Sequence, residues 1–355
     1  MARLSQHRAA GAARFGLVLQ QLCRPCLAEI SPILMSVPPK IAVIGASGFI
    51  GQALVREMML RGIPGIAASS APAPLDNSSV KPVRIRYDAA FSDATFEGAE
   101  VAIMLAGRAH VLREQAPDPE RAFLEANRDL PVVVADAFAR SGGRRFVFVS
   151  TVAVHGVVTH GRPFEADDPF APVSAYARSK RAGEDALRSL CSERGLELVI
   201  IRPPLVFGPN APGNFGQLIA AAKRGIPLPL RSISNRRSFI SLHNLVDLLL
   251  HMAAHSEAAG RAFLVSDGPP LSTAEVALTL YRAAGHPNRV LPCPPALLRT
   301  LGRWIGREAM IDRLIDDLEI DSTPARELLG WRPPHAIEAE LQASLEKSVT
   351  RGRGG

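Results

Sequence analysis

Short apolar runs recur along much of the chain and predict buried strands. They lie at residues 41–44, 65–69, 83–87, 101–105, 146–150 and 196–201. Between several of these runs the apolar residues recur at helical spacing, most clearly over residues 175–194. Strands that alternate with helices predict an α/β fold with a parallel, doubly wound sheet.

A glycine-rich turn follows the first apolar run directly. Gly45, Gly48 and Gly51 stand in a G-x-x-G-x-x-G spacing, and apolar residues at helical spacing follow over 54–59. Glycines in such a turn permit a tight bend, a close approach of backbone to pyrophosphate, and close packing of helix on strand. The helix N-terminus adds free N–H groups and a positive dipole end. This strand–turn–helix context predicts a dinucleotide-binding domain of the Rossmann type.

The end of the second predicted strand carries no acidic residue. NAD-binding sheets usually place Asp or Glu there to hold the ribose hydroxyls, whereas this strand ends in Ala67-Ala68-Ser69-Ser70. Serine can bond a ribose hydroxyl or a 2′-phosphate, so NAD is the expected cofactor and NADP stays open.

Two later segments carry groups suited to proton transfer. The apolar run 146–150 is followed by Thr151, at the carboxyl edge where ligands bind in open α/β sheets. Tyr176 and Lys180 stand four residues apart, on one face of the predicted helix. A nearby ammonium and an oxidised nicotinamide both favour tyrosinate, which lowers the pKa of tyrosine from about 10. Tyr176 can then take a proton from a hydroxyl as hydride leaves, while Thr151 holds the same oxygen.

These motifs together resemble the extended short-chain dehydrogenase/reductase family, the NAD-dependent epimerases and dehydratases, over about residues 40–345. The segment 150–156, S-T-V-A-V-H-G, is similar to the family's S-[ST]-x-x-V-Y-G, whose catalytic hydroxyl stands five residues before the glycine and selects Thr151. The resemblance implies a cofactor site made by Gly45, Ser47, Gly48, Phe49, Ile50, Gly51, Ser69, Asp88, Ala106, Asn127, Tyr176, Lys180 and Pro203.

Departures from the family pattern narrow the expected reaction. Members that remove water across C4 and C6 place Asp-Glu directly after the catalytic threonine, and here those positions are Val152 and Ala153. Neither side chain can transfer a proton, so a 4,6-dehydratase is not expected. His155 and Phe207 replace tyrosines of the family pattern, which leaves the shape of the sugar pocket open.

Beyond residue 205 Pro and Gly become frequent, which predicts a smaller C-terminal substrate lobe. The resemblance implies that Asn214, Arg236 and Arg237 hold the diphosphate of a nucleotide-sugar, and the planar fork of Arg suits phosphate oxygens. The segments 227–230, 244–247 and 329–333 are similar to bacterial UDP-N-acetylhexosamine 4-epimerases and 4-ketoreductases of polysaccharide synthesis.

The predicted function is therefore NAD(P)-dependent oxidation or reduction at C4 of a UDP-linked sugar. An epimerase and a 4-ketoreductase use the same three residues, so the sequence leaves both open. Two other classes also stay open: a non-catalytic NAD(P)-binding sensor or assembly protein, and a reductase of the 3β-hydroxysteroid or dihydroflavonol type.

Six ranges of the sequence describe the predicted domain organisation. They are a weakly ordered extension over 1–38, a dinucleotide-binding domain over 39–205, its return segment over about 239–266, a substrate lobe over 206–238 and 267–345, and a tail over 346–355.

Composition adds mainly exclusions. Of 355 residues 47% are apolar, and no apolar run reaches the ~20 residues of a membrane span. The net charge of +7 sits partly in the chain ends, without the interleaved aromatics that single-stranded nucleic acid requires. Cys23 and Cys26 form a lone C-x-x-C without partners at zinc spacing, so we expect no metal. We expect a cytoplasmic homodimer.

Overall fold

Nine β-strands are present in the computed structural model, which describes residues 38–71, 79–86, 91–109, 116–304 and 306–346. They are β1 (Ile41–Ile44), β2 (Gly65–Ser69), β3 (Val80–Arg84), β4 (Val101–Met104), β5 (Arg145–Val149), β6 (Glu197–Arg202), β7 (Leu205–Phe207), β8 (Phe239–Ser241) and β9 (Ala262–Leu264). Seven of them form one parallel sheet in the order β3-β2-β1-β4-β5-β6-β9, and β7 pairs with β8 in a second parallel sheet. The order confirms the predicted Rossmann-type doubly wound sheet.

Eleven α-helices connect and cover these strands in the described residues. They are α1 (Phe49–Leu60), α2 (Pro119–Leu124), α3 (Leu130–Arg140), α4 (Ala175–Arg194), α5 (Gly213–Arg224), α6 (Leu242–Ala254), α7 (Thr273–Ala283), α8 (Pro295–Trp304), α9 (Glu308–Ile315), α10 (Thr323–Leu329) and α11 (Ile337–Ala343). A π-helical turn, Glu125–Asp129, lies between α2 and α3.

The strand residues divide between two apolar cores, one on each face of the sheet. In β1, Ile41 and Val43 enter the core that α1 and α6 cover, while Ala42 and Ile44 enter the core that α3 and α4 cover. Successive side chains of a strand point to opposite faces, so a strand with helices on both sides must be apolar throughout. This explains why the strands of the sheet read as uninterrupted apolar runs.

The third strand does not lie where the sequence predicts it. It spans Val80–Arg84 and pairs Val80 with Gly65, three residues before the predicted start. As an edge strand it tolerates Pro82 and the exposed Lys81, and so lacks the apolar run that marks the inner strands. Helix α4, in contrast, spans the predicted residues 175–194, because Ser174 caps its start and Gly195, at φ 69°, ends it.

A third apolar core lies in the C-terminal part of the chain. It joins β7, α5, α7 and α8 through buried side chains that include Phe207, Phe215, Tyr281 and Leu298. Residues from Pro39 onward form one compact unit, and their division into two lobes stays a prediction. The predicted N-terminal extension and C-terminal tail fall almost wholly outside the described residues. Within the described residues no helix is long and apolar enough to cross a membrane, and no side-chain cluster suits a metal ion.

Candidate active site

The glycine turn between β1 and α1 admits no larger residue at two of its glycines. Gly45 has a φ of +92°, and a Cβ there would lie 2.5 Å from the backbone nitrogen of Ala106. A Cβ on Gly51 would lie 2.2 Å from the carbonyl oxygen of Gly45. Both distances are far below van der Waals contact, so the turn can fold tightly against β4 only with glycine at these two positions.

The N-terminus of α1 is open to an anionic ligand. Its N-cap is Gly48, which has no side chain to bond the first N–H groups, and the first turn carries no acidic residue. Ser47 and Gly48 are exposed, whereas Phe49 and Ile50 pack against the core and anchor the helix start. Free N–H groups at a positive dipole end bind phosphate, so the turn fits the pyrophosphate of a dinucleotide.

Other predicted cofactor residues lie at the carboxyl ends of neighbouring strands. Ser69 ends β2 with its side chain buried, and Ala106 follows β4 with its N–H on the Ile44 carbonyl at 2.9 Å. Pro203 follows β6 and accepts a hydrogen bond of 3.0 Å from the N–H of Val152. Parallel strands end at one edge of the sheet, so these residues share the edge with the glycine turn. Asp88 lies outside the described residues.

Asn127 lies in the π-helical turn Glu125–Asp129 and is fully buried. Its Nδ2 donates to the Arg108 carbonyl and to Ser179 Oγ, both at 2.9 Å, and its Oδ1 accepts from the Arg108 N–H at 2.9 Å. A Cβ on Gly183 would lie 2.2 Å from the Asn127 carbonyl, so the turn and α4 meet at backbone distance. Asn127 thereby ties the loop after β4 to the helix that carries Tyr176.

Thr151 and Tyr176 meet at the carboxyl end of β5. Thr151 Oγ1 accepts from the Ala153 N–H at 3.2 Å, and the Thr151 side chain interacts with the Tyr176 hydroxyl. Phe123 contacts Tyr176 edge-on, with ring centroids 6.3 Å apart. Burial raises the pKa of Tyr176 to about 12, and the bond to Thr151 offsets part of that rise. Without further positive charge the tyrosine therefore stays protonated near neutral pH.

Lys180 lies one helical turn beyond Tyr176, as predicted, but its ammonium has other partners. Its Nζ donates to the Val149 carbonyl at 2.9 Å and lies 4.6 Å from the centre of the Phe148 ring. Burial lowers its pKa to about 8, although the carboxylate of Glu184 opposes the change. Burial and Thr151 are the causes of the shift at Tyr176, so a lowering of its pKa by Lys180 together with an oxidised nicotinamide stays a prediction.

A buried ion pair that the sequence analysis missed lies behind this pair of residues. Glu184, one turn after Lys180 on α4, and Arg202, at the end of β6, are both at most 1% exposed. Arg202 donates to Glu184 from Nη2 at 2.6 Å and from Nε at 3.0 Å. Ser150, beside Thr151, donates to the same carboxylate at 2.5 Å. The signal available in the sequence was Arg202 itself, a charged residue at the end of the largely apolar strand β6, which indicates a buried partner.

His155 extends this buried group on the side away from Glu184. Its Nε2 lies 3.0 Å from Arg202 Nη1, and since guanidinium only donates, this nitrogen accepts. The imidazole stacks on Phe164 and Phe170, with centroids 5.7 and 5.0 Å apart. Burial and the Arg202 charge lower the pKa of His155, so it is neutral at physiological pH. The group fixes the loop that leads from β5 to α4.

The three predicted substrate residues differ in their surroundings. Asn214 is exposed in the first turn of α5. Arg236 is exposed and pairs with Glu319 at 2.9 Å. Arg237 is half-buried and donates to the Asp316 carbonyl at 2.9 Å, and burial lowers its pKa to about 10. Only Arg237 combines burial with a guanidinium that has no carboxylate partner among the described residues.

Comparison with known proteins places these features in a family context. The model of the NAD dependent epimerase/dehydratase family matches residues 41–266. A UDP-glucose 4-epimerase of Vibrio cholerae is 35% identical over 313 residues, which are 87% of this chain and 95% of that protein.

Solved structures share the fold at lower sequence identity. MoeE5 in complex with UDP-glucuronic acid and NAD superimposes with a TM-score of 0.70 at 20% identity, covering 86% of this chain and 97% of that one. The UDP-N-acetylglucosamine 4-epimerase from Bacillus cereus has a TM-score of 0.67 at 19% identity, covering 89% and 98%. At these identities the likeness shows the fold alone.

Proposed function

Because the chain belongs to the NAD-dependent epimerase/dehydratase family, which its match over residues 41–266 shows, we propose that it oxidises or reduces C4 of a UDP-linked hexose. The name of the Vibrio cholerae relative, a UDP-glucose 4-epimerase, supports this substrate class. The observation that carries the proposal is the contact between the hydroxyls of Thr151 and Tyr176, at the sheet edge that also holds the glycine turn. NAD, the cofactor of the family, supplies the hydride exchange with the carbon.

In the proposed reaction Tyr176 moves the proton of the C4 hydroxyl. It takes the proton when C4 is oxidised and gives it back when the keto carbon is reduced, while Thr151 orients the same oxygen. Since burial raises the pKa of Tyr176 to about 12, positive charge must lie near before the tyrosine acts as a base. The ammonium of Lys180, which lies one helical turn from Tyr176 and donates to the Val149 carbonyl, supplies one such charge.

Dehydration has no acid or base in this arrangement. Val152 and Ala153 form the 3-10 turn that begins at Thr151, and neither can transfer a proton. The proposed chemistry is therefore confined to hydride and proton exchange at one carbon.

Arg237 is the residue we assign to the substrate diphosphate. A guanidinium that is already desolvated binds phosphate oxygens more strongly than an exposed one, because less water is displaced on binding. Arg236 contributes less in this proposal, since its guanidinium is held by Glu319.

The test separates the two C4 reactions. The purified protein is denatured and the released nucleotide is measured, and the native protein is assayed with UDP-glucose, UDP-galactose, UDP-GlcNAc and UDP-GalNAc. An epimerase retains NAD and interconverts the C4 pair without added cofactor. A 4-ketoreductase is isolated without NAD and oxidises added NADH only with a 4-keto UDP-sugar.

Two variants complete the test. Tyr176→Phe should abolish either activity while the circular dichroism spectrum and NAD retention stay unchanged. Arg237→Met should raise KM for the UDP-sugar with a smaller change in kcat. Absence of both activities in the wild type, or full activity of Tyr176→Phe, would overturn the proposal.

The homodimer, the cytoplasmic location and the role in polysaccharide synthesis remain predictions. A non-catalytic sensor has no need for both Tyr176 and Lys180, and the half-buried Arg237 favours a phosphate-bearing substrate over a steroid or flavonoid.

A further inference from the structure

Helix α8 exposes a stripe of large apolar side chains. Leu297, Leu301 and Trp304 lie on one face at helical spacing and are 50%, 45% and 82% exposed. Leu298 and Gly302 lie on another face of α8 and are buried against the core of the C-terminal part. The helix thus has one apolar face that the fold covers and a second that it leaves in water.

The segment that leads into α8 and a second segment paired with it carry further exposed apolar side chains. Residues 226–232 run beside 289–293, joined by backbone hydrogen bonds of 2.9 Å between Leu228 and Arg289 and 2.8 Å between Leu291 and Leu228. Ile226 and Leu291 are each exposed by nearly half, at 45% and 44%. Cys293, two residues before α8, donates to Ser232 at 3.2 Å, which fixes the start of the helix against the same segment.

Exposed cations lie on α5, on α7 and on the two segments that carry Ile226 and Leu291. Their side chains make no ion pair or hydrogen bond within the described residues, and they are Lys223, Arg224, Arg231, Arg282 and Arg289. The segments that carry them are held together, because Tyr281 donates to the Ile226 carbonyl at 2.6 Å. No acidic residue occurs in the sequence between Glu197 and Asp247.

The cations of α8 itself are used differently. Arg299 and Arg303 pair with Asp312 and Glu308 of α9, at 3.3 and 2.7 Å. These pairs tie the two helices together on the side away from the stripe, so the stripe is held outward. We call the apolar stripe with Ile226, Leu291 and the five unpaired cations the α8 face.

We propose that the α8 face binds the surface of an anionic lipid bilayer, with α8 lying in the interface rather than crossing it. A helix with Leu and Trp on one face, amid Lys and Arg, inserts its apolar side among the headgroups while the cations attract anionic lipid. Tryptophan at the end of the stripe suits the boundary between acyl chains and water.

Charge decides against a second copy of the chain on this surface. A two-fold contact would bring the same five cations of each subunit together, and like charges across an interface cost several kcal/mol. On an anionic surface, in contrast, each of the five cations strengthens binding. The proposal is independent of the activity proposed above, and its test needs no turnover.

The protein carries its own probe for the test. Of its two tryptophans, Trp331 is buried and hydrogen-bonded to Asp247 at 2.8 Å, whereas Trp304 is 82% exposed. The full chain is mixed with vesicles of phosphatidylcholine alone, or with an equal part of phosphatidylglycerol. We expect co-flotation with the anionic vesicles, a blue shift of the emission, and quenching by brominated acyl chains. Trp304→Phe should remove the shift and the quenching.

Variants give the expected magnitude. At ~1 kcal/mol per Lys or Arg near an anionic membrane, Lys223→Gln with Arg224→Gln should weaken vesicle binding about 25-fold. Leu301→Gln should weaken it about fivefold, since roughly half of that side chain is exposed and available for transfer. Arg188→Gln on α4 and Leu60→Gln on α1 are the matched exposed controls and should change little.

Several outcomes would overturn the proposal. One is flotation with neither kind of vesicle, and another is flotation with unchanged Trp304 emission, which leaves α8 outside the bilayer. A third is an Arg188→Gln loss equal to that of the Lys223 and Arg224 pair, which indicates unspecific charge. Protection of Trp304 without vesicles, with a doubled mass at higher protein concentration, assigns the face to a second copy instead.

Discussion

Replacing Glu184 with glutamine tests whether the buried ion pair holds the site together. In the wild type one carboxylate oxygen accepts from Ser150 at 2.5 Å and from Arg202 Nε at 3.0 Å, and the other accepts from Arg202 Nη2 at 2.6 Å. Glutamine keeps the shape but removes the charge and turns one of these acceptors into a donor. The guanidinium of Arg202, 1% exposed, then has no counter-charge at hydrogen-bond distance.

The expected cost of Glu184→Gln is about 3–5 kcal/mol of unfolding free energy. Breaking one partner of a buried pair is this expensive because the other charge stays buried without compensation. Such a loss is a large part of the ~5–15 kcal/mol that a folded domain has in total. Replacing both partners, as Glu184→Leu with Arg202→Met, should recover part of the loss, since no charge then stays buried without compensation, while Ser150 and His155 lose their partners.

Urea unfolding of the apoprotein, followed by circular dichroism, measures these differences. The control is Glu308→Gln, which breaks the pair with Arg303, whose side chains are 50% and 63% exposed. An exposed pair is worth ~0–1 kcal/mol, so this variant should unfold almost as the wild type does. A loss for Glu184→Gln no larger than that of the control, or a double variant as unstable as the single one, would refute the reasoning.

Three further predictions concern single groups near the site. Gly51→Ala puts a Cβ 2.2 Å from the Gly45 carbonyl oxygen and should weaken NAD binding in calorimetric titration. The control Gly268→Ala, whose Cβ would have nothing within 4 Å, should bind NAD as the wild type does. Equal NAD affinities of the two variants would contradict the close-packing argument. Lys180→Met removes an ammonium whose pKa is lowered from 10.5 to about 8, which costs up to ~3 kcal/mol of unfolding free energy at neutral pH. The variant apoprotein should therefore resist urea better than the wild type, although its turnover is lost. Because the unfolded chain binds the proton more tightly, wild-type stability rises from about pH 8 to 10.5, and the advantage of the variant must shrink over that window. The pKa of His155 is lowered from 6.5, so its contribution to stability is present above pH 6.5 and lost as the pH falls through the folded-state value; His155→Gln should flatten that acid slope, and an unchanged slope in urea titrations speaks against it.

The parts of the fold that local sequence signals specify could be predicted. The strand β1, the glycine turn and α1 follow one another directly, and α4 carries its own cap residues, Ser174 and Gly195. The strands β7, β8 and β9 have three residues each, too few for periodicity to distinguish them from loop or helix. The edge strand β3 was misplaced for a related reason, since it is buried on few positions and carries a weak apolar pattern.

The candidate site shows a similar division. The order of Thr151, Tyr176 and Lys180 along the chain was readable, because a sheet edge and one helical face bring them together. The partners of Lys180 and the ion pair of Glu184 were not readable, because they depend on side chains from β5, β6 and α4 that meet only in the folded protein. Charged residues in amphipathic stretches are more often solvated, so Glu184 had no mark of burial in the sequence.

The shifted pKa values make the protein alone a poor proton-transfer catalyst. Burial raises the pKa of Tyr176 to about 12 and lowers that of Lys180 to about 8, so both groups move away from the tyrosinate and ammonium pair that base catalysis needs. Glu184 opposes the shift of Lys180, because its carboxylate favours the ammonium one turn away. The same carboxylate thus stabilises the fold through Arg202 and keeps the lysine charged.

This double role separates Glu184 from a residue that only holds the fold. Glu184→Gln should lower the pKa of Lys180 below about 8, and the basic limb of the pH profile of kcat should then move to lower pH. The double variant with Arg202→Met and Glu184→Leu regains part of the stability but not the carboxylate, so its basic limb should move in the same direction. If restored stability also restored the wild-type profile, the effect of Glu184 on Lys180 would be structural rather than electrostatic.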